Sequence, residues 1–143
     1  MTTTNTQRPQ SRRSLDSIRV AETMHRGVIT CKPEATLFTV ARLLAAHRIH
    51  AVAVSPATEE GGWSVVTDLD LATVLSDGVL NEATAGSVAS APTVFVGPDE
   101  TLIRAAQLMC EYETHHLIVV GRGTDRPVGI ISTLDIADAL AEL

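Results

Sequence analysis

Two short segments of the sequence place a hydroxyl three residues before a carboxylate. Thr67 precedes Asp70, and Ser132 precedes Asp135 at the same spacing. Each pair comes where an aliphatic stretch gives way to a helical pattern, so free backbone N–H groups and the positive end of a helix dipole gather there. A phosphate suits such a point, and a carboxylate can accept two hydrogen bonds from a ribose diol. The same spacing also resembles a capping box, which would stabilise the helix start without a ligand.

Imidazoles form a second set of candidate groups. His50 and His115 each precede an aliphatic stretch, and His116 follows directly. A neutral or protonated imidazole can donate a hydrogen bond to a phosphate, and a surface histidine at a turn is the alternative interpretation. The spacing of His115, His116 and Cys110 fits no standard zinc pattern, so we expect no metal site.

The hydroxyl–carboxylate pairs belong to an internal repeat. A shift of 65 residues superposes eleven identical pairs without a gap. Repetition of this kind predicts two copies of one structural unit. The identical pairs are Pro33/Pro98, Thr36/Thr101, Leu37/Leu102, Ala41/Ala106, Leu43/Leu108, His50/His115, Val54/Val119, Leu69/Leu134, Asp70/Asp135, Ala72/Ala137 and Leu75/Leu140.

Each copy predicts the order strand, helix, strand, strand, helix. The long helices begin near Thr36 and Thr101, and the last helices cover 68–75 and 133–143. The expected strands are Val28–Cys31, Ala51–Ser55 and Trp63–Thr67, then Thr93–Val96, Leu117–Val120 and Val128–Ser132.

The repeat also predicts the architecture. One unit of about 55 residues would bury its sheet poorly alone. We therefore expect an α+β fold of two pseudo-symmetric units, each a small mixed β-sheet with two flanking helices, packed sheet to sheet. Residues 1–14 are expected to be a disordered tail, 15–80 the first unit and 85–143 the second, together forming one module.

Composition narrows the class of partner. The net charge is −6, although four arginines (Arg8, Arg12, Arg13 and Arg19) make the start of the chain basic. The rest is therefore acidic, which argues against nucleic acid as a partner. Hydrophobic residues make up 45% of the chain, and with only four aromatic residues the core must be aliphatic.

The same inventory bears on location. The polar segment Met1–Gln10 shows no secretory signal. No apolar run is long enough to span a bilayer, so we expect no membrane contact and a cytoplasmic location. Cys31 and Cys110 make no disulfide framework, and we expect both to be buried, reduced thiols.

Nearly the whole chain after residue 19 resembles a pair of CBS domains, a family named after cystathionine beta-synthase. The most specific feature is a small residue, two aliphatic residues, Ser or Thr, two variable residues, Asp and an aliphatic residue. It occurs in Ser64–Leu71 and again in Gly129–Ile136. The other matching segments are Thr36-Leu37, Thr101-Leu102, Arg48–Val54 and Glu113–Val119. The resemblance implies a disc-like module with two clefts that hold adenosine nucleotides, whose binding usually regulates a partner.

The resemblance also implies roles for individual residues. Asp70 and Asp135 would bind ribose, and Thr67 and Ser132 would bind phosphate or ribose. His50 and His115 would lie at the cleft rims, near the ligand phosphates. The adenine slot would be formed by the first and second strands, for which core packing is the alternative interpretation: Val28, Ile29, Thr30, Thr93, Val94, Phe95, Ala51, Val52, His116 and Leu117.

Departures from the family pattern make the two sites unequal. Many members carry Arg and Pro where this chain has Ala51 and Ala53, or His116 and Ile118 in the second copy. Phosphate binding should therefore be modest. The second copy keeps Gly129 of the pattern, which favours the site at Ser132 and Asp135.

These observations predict a non-catalytic regulatory module. Its ligand would be AMP, ADP, ATP or a related adenosyl compound, with no required cofactor, and it would signal to a regulated protein that the sequence does not identify. The sequence shows no nucleophile motif, Gly-rich phosphate loop or paired acid and base. The alternative is a ligand-free interaction scaffold with degenerate nucleotide sites. We expect a homodimer formed through apolar helix faces that carry Leu71, Val74, Leu75, Ile136, Leu140 and Leu143.

Overall fold

Two small mixed sheets, each flanked by helices, make up the part of the chain that the computed structural model describes, residues 14–89 and 94–143. The α+β expectation is confirmed. In chain order the elements are a 3₁₀ turn (Leu15–Ser17), α1 (Val20–Thr23), β1 (His25–Arg26), β2 (Thr30–Cys31), α2 (Leu37–His47), β3 (Ala51–Val54), β4 (Ser64–Thr67), α3 (Asp68–Asp77), α4 (Ala85–Val88), β5 (Phe95–Val96), α5 (Leu102–Glu111), β6 (His116–Val120), β7 (Pro127–Ser132) and α6 (Thr133–Ala141).

The two sheets share one topology, and among the described residues the second sheet has one strand more than the first. In the first sheet β3 pairs parallel with β2 and antiparallel with β4, and β6 does the same with β5 and β7 in the second. Strand β1 adds a fourth member by pairing antiparallel with β7. The first sequence repeat therefore supplies an edge strand to the sheet of the second.

The sheets pack against each other through aliphatic side chains. Ala51, Val65 and Ile118 are buried together, with Trp63 and Ile130 packed around them. Ala51 and Val65 belong to strands of the first sheet, and Ile118 and Ile130 belong to strands of the second. Because each strand turns alternate side chains to opposite faces, these side chains lie on the faces by which the two sheets meet. The predicted sheet-to-sheet packing follows from this shared cluster.

The short helices α1 and α4 are exchanged between the repeats. The N–H of Val20 in α1 donates to Glu100 O at 2.9 Å, and Val20 is fully buried with the aliphatic residues around β6. In the same way, the N–H of Ala85 in α4 donates to Ala35 O at 2.9 Å, and Ala85 is buried beside α2. Each packed unit therefore contains a short helix from the other sequence repeat.

Helix starts follow the sequence closely, whereas strand ends do not. Thr36 and Thr101 cap α2 and α5, since each side-chain hydroxyl accepts the N–H three residues on. Helix α3 extends beyond the predicted Leu75, until Gly78 in the left-handed region (φ 74°) ends it. The first strands are shorter than predicted: β2 has two residues, and so does β5.

The prediction of two buried cysteines is wrong for Cys110 and is met only in part by Cys31. Cys110 is exposed, because the buried face of α5 is formed by Leu102, Ala105 and Met109, and Cys110 lies a third of a turn away from that face. Cys31 is half-buried, and this burial raises the pKa of its thiol.

The N-terminal tail and the absence of a membrane span are two further expectations from the sequence. The predicted tail lies outside the described residues except for Ser14, whose hydroxyl caps the 3₁₀ turn. None of the helices in residues 14–89 and 94–143 has the length and apolar character of a membrane span.

Candidate functional site

A cleft between the two units gathers four of the polar residues that the sequence singles out; we call it the Asp135 cleft. Ser132 and Asp135 reach it from the junction of β7 and α6, and His116 reaches it from β6. The first unit contributes Ile29 and His50. The other residues that line the cleft are His25, Gly27, Arg48, Ile49, Ala51, Ile130 and Leu134.

The Ser132–Asp135 step forms a complete capping box. The Ser132 N–H donates to Asp135 Oδ2 at 2.8 Å, and its hydroxyl donates to the same oxygen at 3.1 Å. In return, Asp135 N–H lies 3.3 Å from the Ser132 hydroxyl oxygen. The step therefore stabilises the start of α6, as the capping interpretation of the sequence requires.

The second oxygen of Asp135 has a partner that the sequence did not reveal. His25 Nδ1 lies 3.0 Å from Asp135 Oδ1. Asp135 is only 3% exposed, whereas the His25 side chain is 69% exposed. An imidazole therefore lies over the carboxylate on the solvent side of the cleft.

Gly129 makes this contact possible. A side chain at Gly129 would place its Cβ 2.5 Å from His25 O and 2.9 Å from Met24 Sδ. The missing side chain lets β1 approach β7 in the register that pairs His25 with Ile130. The small residue of the repeated motif is thus a packing requirement at this position.

The Thr67–Asp70 step repeats the same geometry in a second cavity, the central cleft. Thr67 N–H and hydroxyl donate to Asp70 Oδ2 at 2.8 and 3.1 Å. Asp70 is half-buried, and no other described side chain donates to its Oδ1. The central cleft is lined by the Thr67–Asp70 step, by Ser132 of the other step and by the residues around them: His50, Thr67, Asp68, Leu69, Asp70, Glu113, Thr114, His115, His116, Ser132, Thr133 and Leu134.

The two helix starts differ in charge. Asp68, the first residue of α3, accepts the N–H of Leu69 at 2.9 Å, and its other oxygen lies 2.7 Å from His50 Nδ1. This hydrogen bond from His50 lowers the pKa of the Asp68 carboxyl. The equivalent residue of the second repeat is Thr133, so among the described side chains no carboxylate caps the N–H of Leu134. An anion is therefore better accommodated at the start of α6 than at the start of α3.

The histidines occupy different environments. His116 is half-buried and lines both clefts, and burial lowers the pKa of its imidazole. His115 and His50 are exposed, and both line the central cleft. Within residues 14–89 and 94–143, no three His, Cys, Asp or Glu side chains are grouped so as to hold a metal ion.

Arg48 and Glu113 give the clefts opposite charges at equivalent positions. Both residues follow the long helix of their unit in the left-handed conformation, with φ of 52° and 50°. Arg48 lines the Asp135 cleft, and Glu113 lines the central cleft. Arg48 and Glu113 are 65 positions apart, so the reversal of charge is visible in the aligned repeats. It is not visible among the identical pairs, from which the repeat was recognised.

Several residues of the predicted adenine slot line neither cleft in this structure. Val28 is half-buried outside both, and Val94 packs against the core of the second unit. Val52 is fully buried in the core of the first unit. Phe95 is 41% exposed and lines a separate cavity with Trp63.

Of three further residues of the predicted slot, two line neither cleft and one is outside the described part of the chain. Leu117 is fully buried in the core of the second unit, and Thr30 is exposed. Thr93 lies outside the described residues. Of the predicted slot residues, Ile29, Ala51 and His116 line the Asp135 cleft, together with Ile49 and Ile130.

Comparison with known proteins identifies the family. The family model described as CBS domain matches residues 20–77 and again residues 85–142. No curated protein is significantly similar to this chain in sequence.

Solved structures show the same fold. The CBS domain pair of protein MJ0100, in complex with 5′-methylthioadenosine and S-adenosyl-L-methionine, is 22% identical, with a TM-score of 0.75 over 87% of this chain and 96% of that chain. CBS domain protein PAE2072 from Pyrobaculum aerophilum, complexed with AMP, is 23% identical, with a TM-score of 0.73 over 88% of this chain and 100% of that chain. A hexameric CBS-CP12 protein from bloom-forming cyanobacteria is 24% identical, with a TM-score of 0.76 over 84% of this chain and 69% of that chain. Because the family model covers most of the sequence in two copies, the chain belongs to the CBS-domain family as a tandem pair.

Proposed function

We propose that this CBS pair is a non-catalytic regulatory module that binds an adenine nucleotide, or a related adenosyl compound, between its two units. The observation that carries the proposal is the Asp135 cleft. Its Ser132–Asp135 step, imidazoles and aliphatic walls come from both repeats, so a bound ligand would bridge the units. Two proteins of the same fold hold adenosyl ligands, namely AMP in one case and S-adenosyl-L-methionine with 5′-methylthioadenosine in the other.

The ligand would lie with its phosphate at the start of α6. Thr133 replaces the carboxylate of Asp68, so the first turn of α6 has one acidic residue, Asp135, where α3 has two. Arg48 and His116 line the Asp135 cleft, and Thr133 lines the central cleft, which shares Ser132 with it. Asp135 would accept the ribose hydroxyls, and Ile29 and Ile130 would contact the base. Among the described residues, Arg48 is the one arginine that lines this cleft. A monophosphate therefore suits it better than a triphosphate, which needs more cationic partners.

Titration calorimetry with AMP, ADP, ATP and S-adenosyl-L-methionine tests the proposal. We expect AMP to bind with a dissociation constant below about 1 mM, which corresponds to about 4 kcal/mol. Ligand at 100 times this constant should stabilise the fold by about 2.7 kcal/mol in thermal unfolding. If none of the four compounds binds below that limit, the proposal fails.

A matched variant separates phosphate binding from general binding. Thr133→Asp copies the start of α3 into α6, and its carboxylate would repel a phosphate. We expect AMP to bind about tenfold more weakly, equivalent to about 1.4 kcal/mol, while adenosine is unaffected. The exposed Thr73→Asp in α3 is the control and should change neither affinity. Equal loss of AMP and adenosine in Thr133→Asp would place the phosphate elsewhere.

A second candidate function is a ligand-free interaction scaffold. The observation that favours it is the internal satisfaction of Asp135, whose two oxygens are both bonded within the protein. On this alternative Asp70→Ala and Asp135→Ala would each cost about 0.5–2 kcal/mol of stability through loss of the cap, with or without nucleotide. On the nucleotide proposal, Asp135→Ala also removes the AMP-dependent part of the stability.

The proposal also includes how the module passes on the binding of its ligand. A binding module without chemistry of its own must act on another protein, or through its own assembly. We therefore propose that the CBS pair forms a homodimer in the cytoplasm and passes its ligand state to a regulated protein, with no cofactor required.

A further inference from the structure

In the Asp135 cleft, a side chain of the protein itself already contacts the carboxylate that a ribose would use. Asp135 Oδ2 is committed to Ser132, and Oδ1 lies 3.0 Å from His25 Nδ1. With 3% exposure, the carboxylate presents almost no free surface to a ligand while His25 stays in place. The cavity that remains has a volume of about 150 Å³, whereas small-molecule sites usually enclose about 300–1,000 Å³.

The repeated site provides an internal comparison. Asp70 makes the same two bonds to Thr67, at the same distances, but among the described residues no imidazole lies on its Oδ1. The residue 65 positions after His25 is Ser90, so the repeat has no imidazole at the equivalent position of the sequence. The imidazole over the carboxylate is therefore a property of one cleft and not of the capping box.

The backbone of His25 is fixed, but its ring is not enclosed. The preceding helix α1 is anchored by Val20, and the N–H of Gly27 donates to Val128 O at 3.1 Å. The His25 side chain is 69% exposed, so its ring can rotate away without disturbing β1. The other charged or titratable groups that line the cleft, Arg48, His50 and His116, come from different elements and are not bonded to this pair.

We propose that His25 is an intramolecular competitor for the ribose-binding oxygen of Asp135 and thereby sets the nucleotide affinity of that cleft. This inference rests on the proposed function. A ligand with a 2′,3′-diol must displace the imidazole to reach Asp135. A ligand without the diol gains nothing from the displacement and leaves His25 in place.

The test compares His25→Ala with the unchanged protein by calorimetry, using AMP and its 2′,3′-dideoxy analogue. We expect the preference for AMP over the dideoxy analogue to increase about tenfold in His25→Ala, since a charge-assisted hydrogen bond no longer has to be broken. The dideoxy analogue should bind both proteins within about twofold of each other, a difference of at most about 0.4 kcal/mol. His47→Ala removes an exposed imidazole at the end of α2 and should change neither ligand.

The other outcomes are distinct. An unchanged preference in His25→Ala would show that His25 does not compete, while the proposed function would stand. Weaker AMP binding in His25→Ala would make the imidazole a ligand contact and overturn the inference. If neither protein binds AMP, the proposed function and this inference both fail.

A second measurement does not depend on the variant being folded. In a crystal structure of the unchanged protein with AMP, the His25 ring should have rotated away and a ribose hydroxyl should lie within hydrogen-bond distance of Asp135 Oδ1. AMP bound with the His25–Asp135 contact intact would contradict the inference.

Discussion

His116 is one of four residues that line both clefts, with His50, Ser132 and Leu134, and it stands where many CBS domains have an arginine. It is half-buried, and burial lowers the pKa of its imidazole, so the neutral form is favoured in the folded protein. Asp68 acts in the opposite direction, but more weakly than burial. A neutral imidazole can donate one hydrogen bond to a ligand without adding a charge beside His115 and His50.

This lowered pKa predicts a pH dependence of stability. The unfolded chain binds a proton at His116 more readily than the folded chain does, so the stabilising contribution is complete above about pH 6.5 and is lost as the pH falls through the folded pKa. We expect His116→Gln to reduce the loss of unfolding free energy between pH 7 and pH 5, measured by urea denaturation. His47→Gln, at an exposed position, should leave that loss unchanged. The same loss in His116→Gln as in the unchanged protein would show that His116 does not titrate in this range.

At the scale of elements, the strand β1 links the two repeats, and its place depends on one glycine. Gly129 faces His25 O, a backbone atom that cannot move without breaking the pairing of β1 with β7. The first repeat has Ser64 at the equivalent position, and there the edge of the sheet has no β1-like partner among the described strands. Gly129 therefore leaves the room that β1 needs at the edge of the second sheet.

Gly129→Ala should consequently displace β1. A Cβ at 2.5 Å from a backbone oxygen forces a shift, and we expect a loss of about 1–3 kcal/mol, the usual cost of overpacking. Urea unfolding measures this loss, and hydrogen exchange should show that the N–H of Gly27 is no longer protected. Gly62→Ala is the control, because a Cβ there meets nothing within 4 Å. Equal stability of the two variants would mean that β1 adapts without cost.

The sequence predicts elements well where the signal is local. The caps at Thr36 and Thr101, the long helices and the paired steps at Thr67 and Ser132 all follow from nearby residues. The exchange of α1 and α4, the pairing of β1 with β7 and the contact of His25 with Asp135 join residues far apart in sequence. No local pattern encodes them, since their free energy comes from tertiary packing. A glycine opposite a serine in the repeat was the one available hint.

At the scale of the whole molecule, two equivalent halves have become chemically unequal. The Asp135 cleft has Arg48 and a carboxylate already paired with His25, whereas the central cleft has Glu113, Asp68 and an accessible Asp70. An anionic ligand should therefore prefer the first cleft, and a neutral or cationic one the second. Likeness to the repeated motif favours the site at Ser132 and Asp135, whereas in the structure the two clefts differ in charge and in access to the carboxylate.

The predicted apolar helix faces are only partly available to a second copy. Val74 is buried in the core of the first unit, and Leu71 and Ile136 each pack against the core of their own unit. Leu75 and Leu140, which are equivalent in the repeat, are 66% and 50% exposed. Of the predicted interface residues, Leu75 on α3 and Leu140 on α6 are therefore exposed, and so is Leu143, at 38%. Exposed apolar residues at equivalent positions could pack against a second copy in a symmetric interface.

We predict a homodimer that depends on these leucines. Burying one leucine contributes about 1.5–3 kcal/mol, and a two-fold interface would count each residue twice. Light scattering should give about twice the 15.2 kDa mass of one chain. Leu75→Asp combined with Leu140→Asp should give the single mass, because the carboxylates would be buried against apolar surface. Ile103→Asp, at an exposed position on α5, is the control and should leave the dimer intact. A dimer lost in Ile103→Asp, and kept in the double variant, would place the interface on the long helices instead.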